Sequence, residues 1–149
     1  MQGPAPASPE SATGPATLVL FDGVCAFCNG AVDWLLRHDP EGRLRFAPLQ
    51  GETAARLRAR HPEIPAEVDT LVAIETVGGR ERVSLRSEAV FRACAAIADA
   101  PRWVRWLERV PRPLVDLAYR LFARMRYRAF GRLDACRVPR PGERSRILD

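Results

Sequence analysis

The sequence predicts an α/β fold: a mixed four-stranded sheet with helices on its faces. Three observations carry this. Short apolar, β-branched runs alternate with segments of helical spacing over the first hundred residues. The first strand–helix–strand unit is long enough only for a parallel crossover, which is right-handed by rule. A Gly78-Gly79 pair between two later strands then demands a tight antiparallel hairpin.

Taken in order, Thr17 to Phe21 reads as a buried strand closed by Asp22-Gly23. A helix follows from Cys25, with Ala31, Val32, Leu35 and Leu36 at helical spacing, and stops at His38-Asp39-Pro40-Glu41-Gly42. Residues 44–49 form a second strand and 51–61 an arginine-rich helix ended by Pro62. Residues 70–76 and 82–85 are the hairpin strands, and Ser87 is expected to cap a helix running to about Ala98. The order β-α-β-α-β-β-α is that of thioredoxin-like folds. Residues 17–100 are assigned to that unit and 101–149 to a helical extension packed on it. In the extension, Pro101 to Val110 is a short helix, and Pro111 and Pro113 break it before a second helix over 114–130. Leu114, Val115, Leu117, Ala118, Leu121, Phe122 and Met125 are expected to face inward. Trp34, Trp103 and Trp106 are expected in the core or at helix contacts.

Composition narrows the class. The chain has 149 residues, suited to one core. All 23 basic residues are arginine, which reads as a coding bias as much as a function, and the net charge of +5 does not by itself make a nucleic-acid binder. Residues 1–16 are rich in Pro, Ala, Ser and Gly, lack an apolar targeting core and read as a disordered tail. No run approaches the roughly 20 apolar residues of a membrane span. A cytoplasmic protein is expected, where cysteines stay reduced unless they are catalytic or bind metal.

The chemistry centres on Cys25-Ala26-Phe27-Cys28 at the strand–helix junction. At a helix mouth the free N–H groups and the positive end of the macrodipole favour thiolate at Cys25. Cys28, a turn further in, is expected to be more buried and less acidic. Such a pair suits dithiol exchange: Cys25 attacks a disulfide, and Cys28 then attacks Cys25 and releases reduced substrate. Asp22, at the strand end, is the candidate for proton handling or positioning, and Phe27 for shielding the pair. The competing class is a non-catalytic module that uses the pair for metal, or the arginine-rich C-terminal helix for an acidic partner. A four-cysteine zinc site wants a second close pair, however, and Cys94 and Cys136 lie far apart. Stoichiometric zinc and loss of fold on chelation would separate the two classes.

The stretch Asp22-Gly23-Val24-Cys25-Ala26-Phe27-Cys28-Asn29 resembles the signature of the DCC family of thiol-disulfide oxidoreductases, named for its Asp, Cys and Cys. RFAPLQ (45–50), DTLV (69–72), RSEAV (86–90) and YRAFGRLDACRVP (127–139) resemble that family too, so the likeness spans about 17–149. It implies a thioredoxin-like fold with a redox CxxC and little about substrate. Dithiol exchange itself is expected to need no bound cofactor, and the expected partners are a disulfide-bearing protein or a low-molecular-weight thiol, and a reductant. Thioredoxins and glutaredoxins hold a cis-proline before the third strand. Here that place reads Val68-Asp69-Thr70-Leu71, so Asp69 and Thr70 are the positions expected beside the sulfurs.

Two other cysteines lie outside the pair. Cys94 lies on an apolar helix face and is expected in the core. Cys136, between Arg132 and Arg137, is a possible third redox thiol or a local packing residue. The arginine-rich stretch 120–132, interleaved with Phe122, Tyr127 and Phe130, has a pattern that RNA or an acidic membrane surface would accept. It is expected to be a solvated face, and no nucleic-acid partner is predicted.

Overall fold

The structure is a computed structural model and describes residues 16–67, 70–97, 100–136 and 138–148. Of the expected tail only Ala16 is among them, and Asp69 lies outside the described residues. Four strands and five helices form among those described: β1 (Thr17–Phe21), α1 (Ala26–His38), β2 (Leu44–Pro48), α2 (Glu52–Arg60), β3 (Val72–Val77), β4 (Arg80–Leu85), α3 (Ser87–Ala96), α4 (Arg102–Leu107) and α5 (Arg112–Phe130). The sheet order is β2-β1-β3-β4, with β1 parallel to β2 and antiparallel to β3, and β3 antiparallel to β4. This is the mixed thioredoxin-like sheet that the sequence predicts. The hairpin turn is made by Gly78 (φ 57°) and Gly79 (φ 78°), both in the left-handed region that a two-residue turn of this hand requires.

Alternation along β1 divides the core between the two faces of the sheet. Val19 and Phe21 pack with Val32 and Leu35 of α1 and Ala93 of α3, while Leu20 packs on the other face with Ala54 and Leu57 of α2 and Val72 of β3. Asp39 fixes the turn after α1. Its buried carboxylate accepts the Arg43 and Leu44 N–H groups at 3.0 and 2.8 Å and pairs with the Arg146 guanidinium. Arg146 thereby brings the C-terminus to the open edge of β2, where Phe46 N–H donates to Arg146 O (2.8 Å) and Leu148 N–H to Phe46 O (2.8 Å).

Four expectations are corrected at the level of the fold. Ser87 does not cap α3: it is the first helical residue, its hydroxyl donates to Asp116 of α5, and Arg86 (φ 56°) stands at the cap. Pro111 and Pro113 open α5 instead of merely separating it from α4, since a helix start needs no N–H there. The inward face of α5 carries Val115, Tyr119, Ala123, Arg126 and Tyr127, while Leu114, Leu117, Leu121 and Met125 are more than half exposed. Two apolar stripes share the helical period, and the one that docks is the one carrying the buried Arg126. Trp103 and Trp106 are likewise more than half exposed, whereas Trp34 stacks on His38 and packs against the core.

Candidate active site

β1 delivers Asp22 at its end, and the chain turns through Gly23 and Val24 into α1. Cys25 is the N-cap: its Sγ accepts the Cys28 N–H at 3.2 Å, so one of the helix's unpaired donors points at the first sulfur. Asn29 locks the turn from inside the helix, its Nδ2 donating to Gly23 O at 2.9 Å and Cys25 O at 2.8 Å. Gly23 is tightly enclosed: a Cβ there would lie 3.1 Å from Pro48 Cβ and 3.2 Å from Cys136 Sγ, so a side chain would need those neighbours to give by a few tenths of an ångström.

Asp22 is the hub. Its carboxylate is buried and accepts Val24 N–H (3.1 Å), Gln50 Nε2 (2.7 Å) and the Tyr127 hydroxyl, and pairs with Arg126 Nη2 at 2.9 Å. Arg126, only 5% exposed, also turns Nη1 to Cys28 Sγ at 3.4 Å. One guanidinium thus joins the carboxylate to the second thiol across a sequence separation of about a hundred residues. Burial pushes the Cys28 thiol up to about 12, the hydrogen bond and charge of Cys25 add to this, and Arg126 opposes it. Burial and the bond to Asp22 push the Tyr127 hydroxyl up to about 12. Burial works against the Arg126 charge, but Cys28, Asp22 and Tyr127 outweigh it and its pKa is raised.

The two sulfurs differ in access, and not as the sequence predicts. Cys25 is fully buried and Cys28 is partly exposed. The chain after α5 is the cause. Gly131 (φ 89°) turns it back over the dithiol, Leu133 N–H donates to Val24 O (2.7 Å), Ala26 N–H reaches Gly131 O (3.4 Å), and Arg132 bridges Cys25. Cys28 lines an apolar cavity of about 700 Å³ between α1, α3 and α5, which also takes in Leu71, Trp103 and Phe122. Phe27 forms part of its wall, clamped between Phe122 (ring centroids 4.7 Å apart) and Phe130 (4.9 Å).

Of the residues singled out from sequence, Asp22, Cys25, Phe27 and Cys28 are together. Thr70 is buried before β3 and is not among the cavity residues; its neighbour Leu71 lines the cavity, and its N–H is bonded to the Tyr119 hydroxyl at 2.8 Å. Cys136 Sγ lies beside Gly23, on the covering segment. Cys94 is buried with Phe91 and Val104, and burial raises its pKa. Arg126, Tyr127, Gln50 and Asn29 are site residues to which the sequence assigns no role. Asn29 and Gln50 end two of the matched motifs and Tyr127 opens a third, and that is their signal.

A thioredoxin-like sheet with a CxxC pair at the β1–α1 junction defines the class of thioredoxin-fold dithiol proteins. Within it, the chain belongs to the DCC1-like thiol-disulfide oxidoreductase family, whose model matches residues 19–132. It is 33% identical over 134 residues to the uncharacterized protein YuxK of Bacillus subtilis (strain 168), covering 90% of this chain and 95% of that one. It is 34% identical over 122 residues to the chloroplastic DCC family protein At1g52590 of Arabidopsis thaliana, covering 81% of this chain and 69% of that one. No solved structure matches the chain.

Proposed function

We propose that this protein exchanges its Cys25/Cys28 dithiol with a disulfide through a mixed disulfide. The observation that carries this reading is the Cys28 N–H aimed at Cys25 Sγ while Arg126 stands against Cys28 Sγ. Once the segment 131–133 lifts from it, Cys25 attacks a substrate sulfur, forms the Cys25–substrate disulfide and releases the first substrate thiolate. Cys28, whose pKa of about 12 keeps it protonated at rest, loses its proton and attacks Cys25 Sγ, and the second substrate thiolate leaves. Two electrons pass from the dithiol to the substrate, and the product on the protein is the Cys25–Cys28 disulfide. Arg126 favours the Cys28 thiolate as it forms, and Asp22 positions Arg126 and takes part in handling the proton. The substrate is a disulfide-bearing protein or a small disulfide, approaching past Phe27, with Leu71 on the wall of the same cavity. A partner dithiol or low-molecular-weight thiol returns the electrons, with no bound cofactor. Cys136, carried on the covering segment, serves as a third thiol once that segment lifts from Cys25.

The test is trapping with Cys28→Ser. A substrate or model disulfide should remain linked to Cys25, and mass mapping should place the link there. If nothing is trapped, and neither single-cysteine variant loses activity on any disulfide, the reading is wrong.

A further inference from the structure

The exposed side of α4 and α5 fits a surface that is both anionic and greasy. On α5, Leu114, Leu117, Leu121 and Met125 recur at steps of three and four, so they line one stripe of the helix. All four are more than half exposed, as are Trp103 and Trp106 on α4. Arg120, Arg124 and Arg128 form a row at steps of four along the edge of that stripe, all exposed, and none makes an ion pair among the described residues. The charge is concentrated here. Residues 101–132 carry nine arginines against two acids, a net +7, whereas the rest of the chain, with fourteen arginines against sixteen acids, stands at −2.

We propose that this face docks on an anionic phospholipid membrane, with α5 lying flat in the interface. A helix with Leu, Met and Trp on one side and Arg beside it is built for that position: the apolar stripe enters the acyl boundary and the arginines meet the headgroups. No described helix is long and apolar enough to cross, so the mode is surface docking. Two competing occupants fit less well. A second copy packed on the stripe by a twofold axis would set its Arg120, Arg124 and Arg128 against the same row, and Asp116, the acid at the head of that row, is already bonded to the Ser87 hydroxyl. RNA would meet the arginines but would leave the leucines and Met125 without a partner.

The experiment is flotation of the purified full chain with vesicles of 70% phosphatidylcholine and 30% phosphatidylglycerol, and with phosphatidylcholine alone. Binding to the anionic vesicles should be at least about tenfold tighter than to neutral ones, and should weaken in high salt. Arg120→Glu/Arg124→Glu should weaken it by more than about tenfold. Leu117→Gln/Leu121→Gln should do the same without changing the charge of the face. Trp106 fluorescence should be quenched by brominated acyl chains. All four substituted positions are exposed, and the two variants act through different chemistry, so folding loss in one leaves the other decisive. The proposal is overturned if the chain does not float with the anionic vesicles, or if the leucine variant floats as well as the parent. It is also overturned if light scattering shows a dimer dissolved by the leucine variant with no vesicle binding, or if RNA binding alone is found and the leucine variant retains it.

Discussion

Arg126 Nη1 stands 3.4 Å from Cys28 Sγ while the same guanidinium pairs with Asp22 at 2.9 Å. The second thiol of the motif is therefore held from the C-terminal helix as well as from the helix that carries it.

Removing that guanidinium should be costly twice over. Arg126→Met leaves the buried Asp22 carboxylate without its cation, and breaking such a pair costs about 3–5 kcal/mol. Urea unfolding measures this. The Cys28 thiol, losing the charge that opposed its rise, should also become harder to ionise, seen as slower closure of the Cys25–Cys28 disulfide from a mixed disulfide. Arg126→Lys should recover part of the stability, because a charge remains, but less of the geometry.

Stability should fall at high pH with a defined onset. Cys28 and Tyr127 are held at about 12 in the fold, against ordinary values of 9.0 and 10.0. Above pH 9 the unfolded chain sheds protons that the folded chain keeps, so the free energy of unfolding decreases. The contribution is fully present below pH 9 and is lost progressively between pH 9 and about 12. Cys25→Ala removes the hydrogen bond and charge that help raise Cys28, so the slope should become shallower in that variant. A stability that is flat or rising across this window contradicts the assignment.

Leu133→Pro should uncover the first sulfur. Proline removes the N–H that binds Val24 O, loosening the segment that crosses Cys25. Alkylation of Cys25 by iodoacetamide, followed by peptide mass mapping, should accelerate relative to the parent, while Cys94, buried in its own cluster, should not change. Equal Cys25 rates in the two proteins would show that this segment does not control access.

Asp39→Ala should destabilise the far end of the molecule. It strands the Arg43 and Leu44 N–H groups and the Arg146 guanidinium together, at a cost of about 3 kcal/mol. Limited proteolysis should then remove the last residues, because Arg146 no longer holds Ile147 and Leu148 against Phe46.

What could be read in advance was local. The β1–α1 junction, the parallel β2 and the Gly78-Gly79 hairpin are written in alternation and turn chemistry over a few residues, and the dithiol needed only its spacing. The misread elements depend on distant partners. Two apolar stripes run along α5 with the same period, and only the pairing of Arg126 and Tyr127 with Asp22 decides which is inside. Ser87 is suited to a cap, yet Asp116 draws its hydroxyl away. The burial of Cys25 is set by three residues more than a hundred positions later, and nothing around the motif announces them.

The order of synthesis gives that cover a consequence. The ribosome releases Cys25 and Cys28 early, while Arg126, Tyr127 and the crossing segment at 131–133 follow about a hundred residues later. A nascent chain must therefore display a bare dithiol to whatever oxidants and thiols surround it, and the guarded state begins only once that segment has emerged. A translating intermediate stalled before residue 126 would hold the two cysteines without the cover, the cation or the tyrosine that distinguish the finished protein.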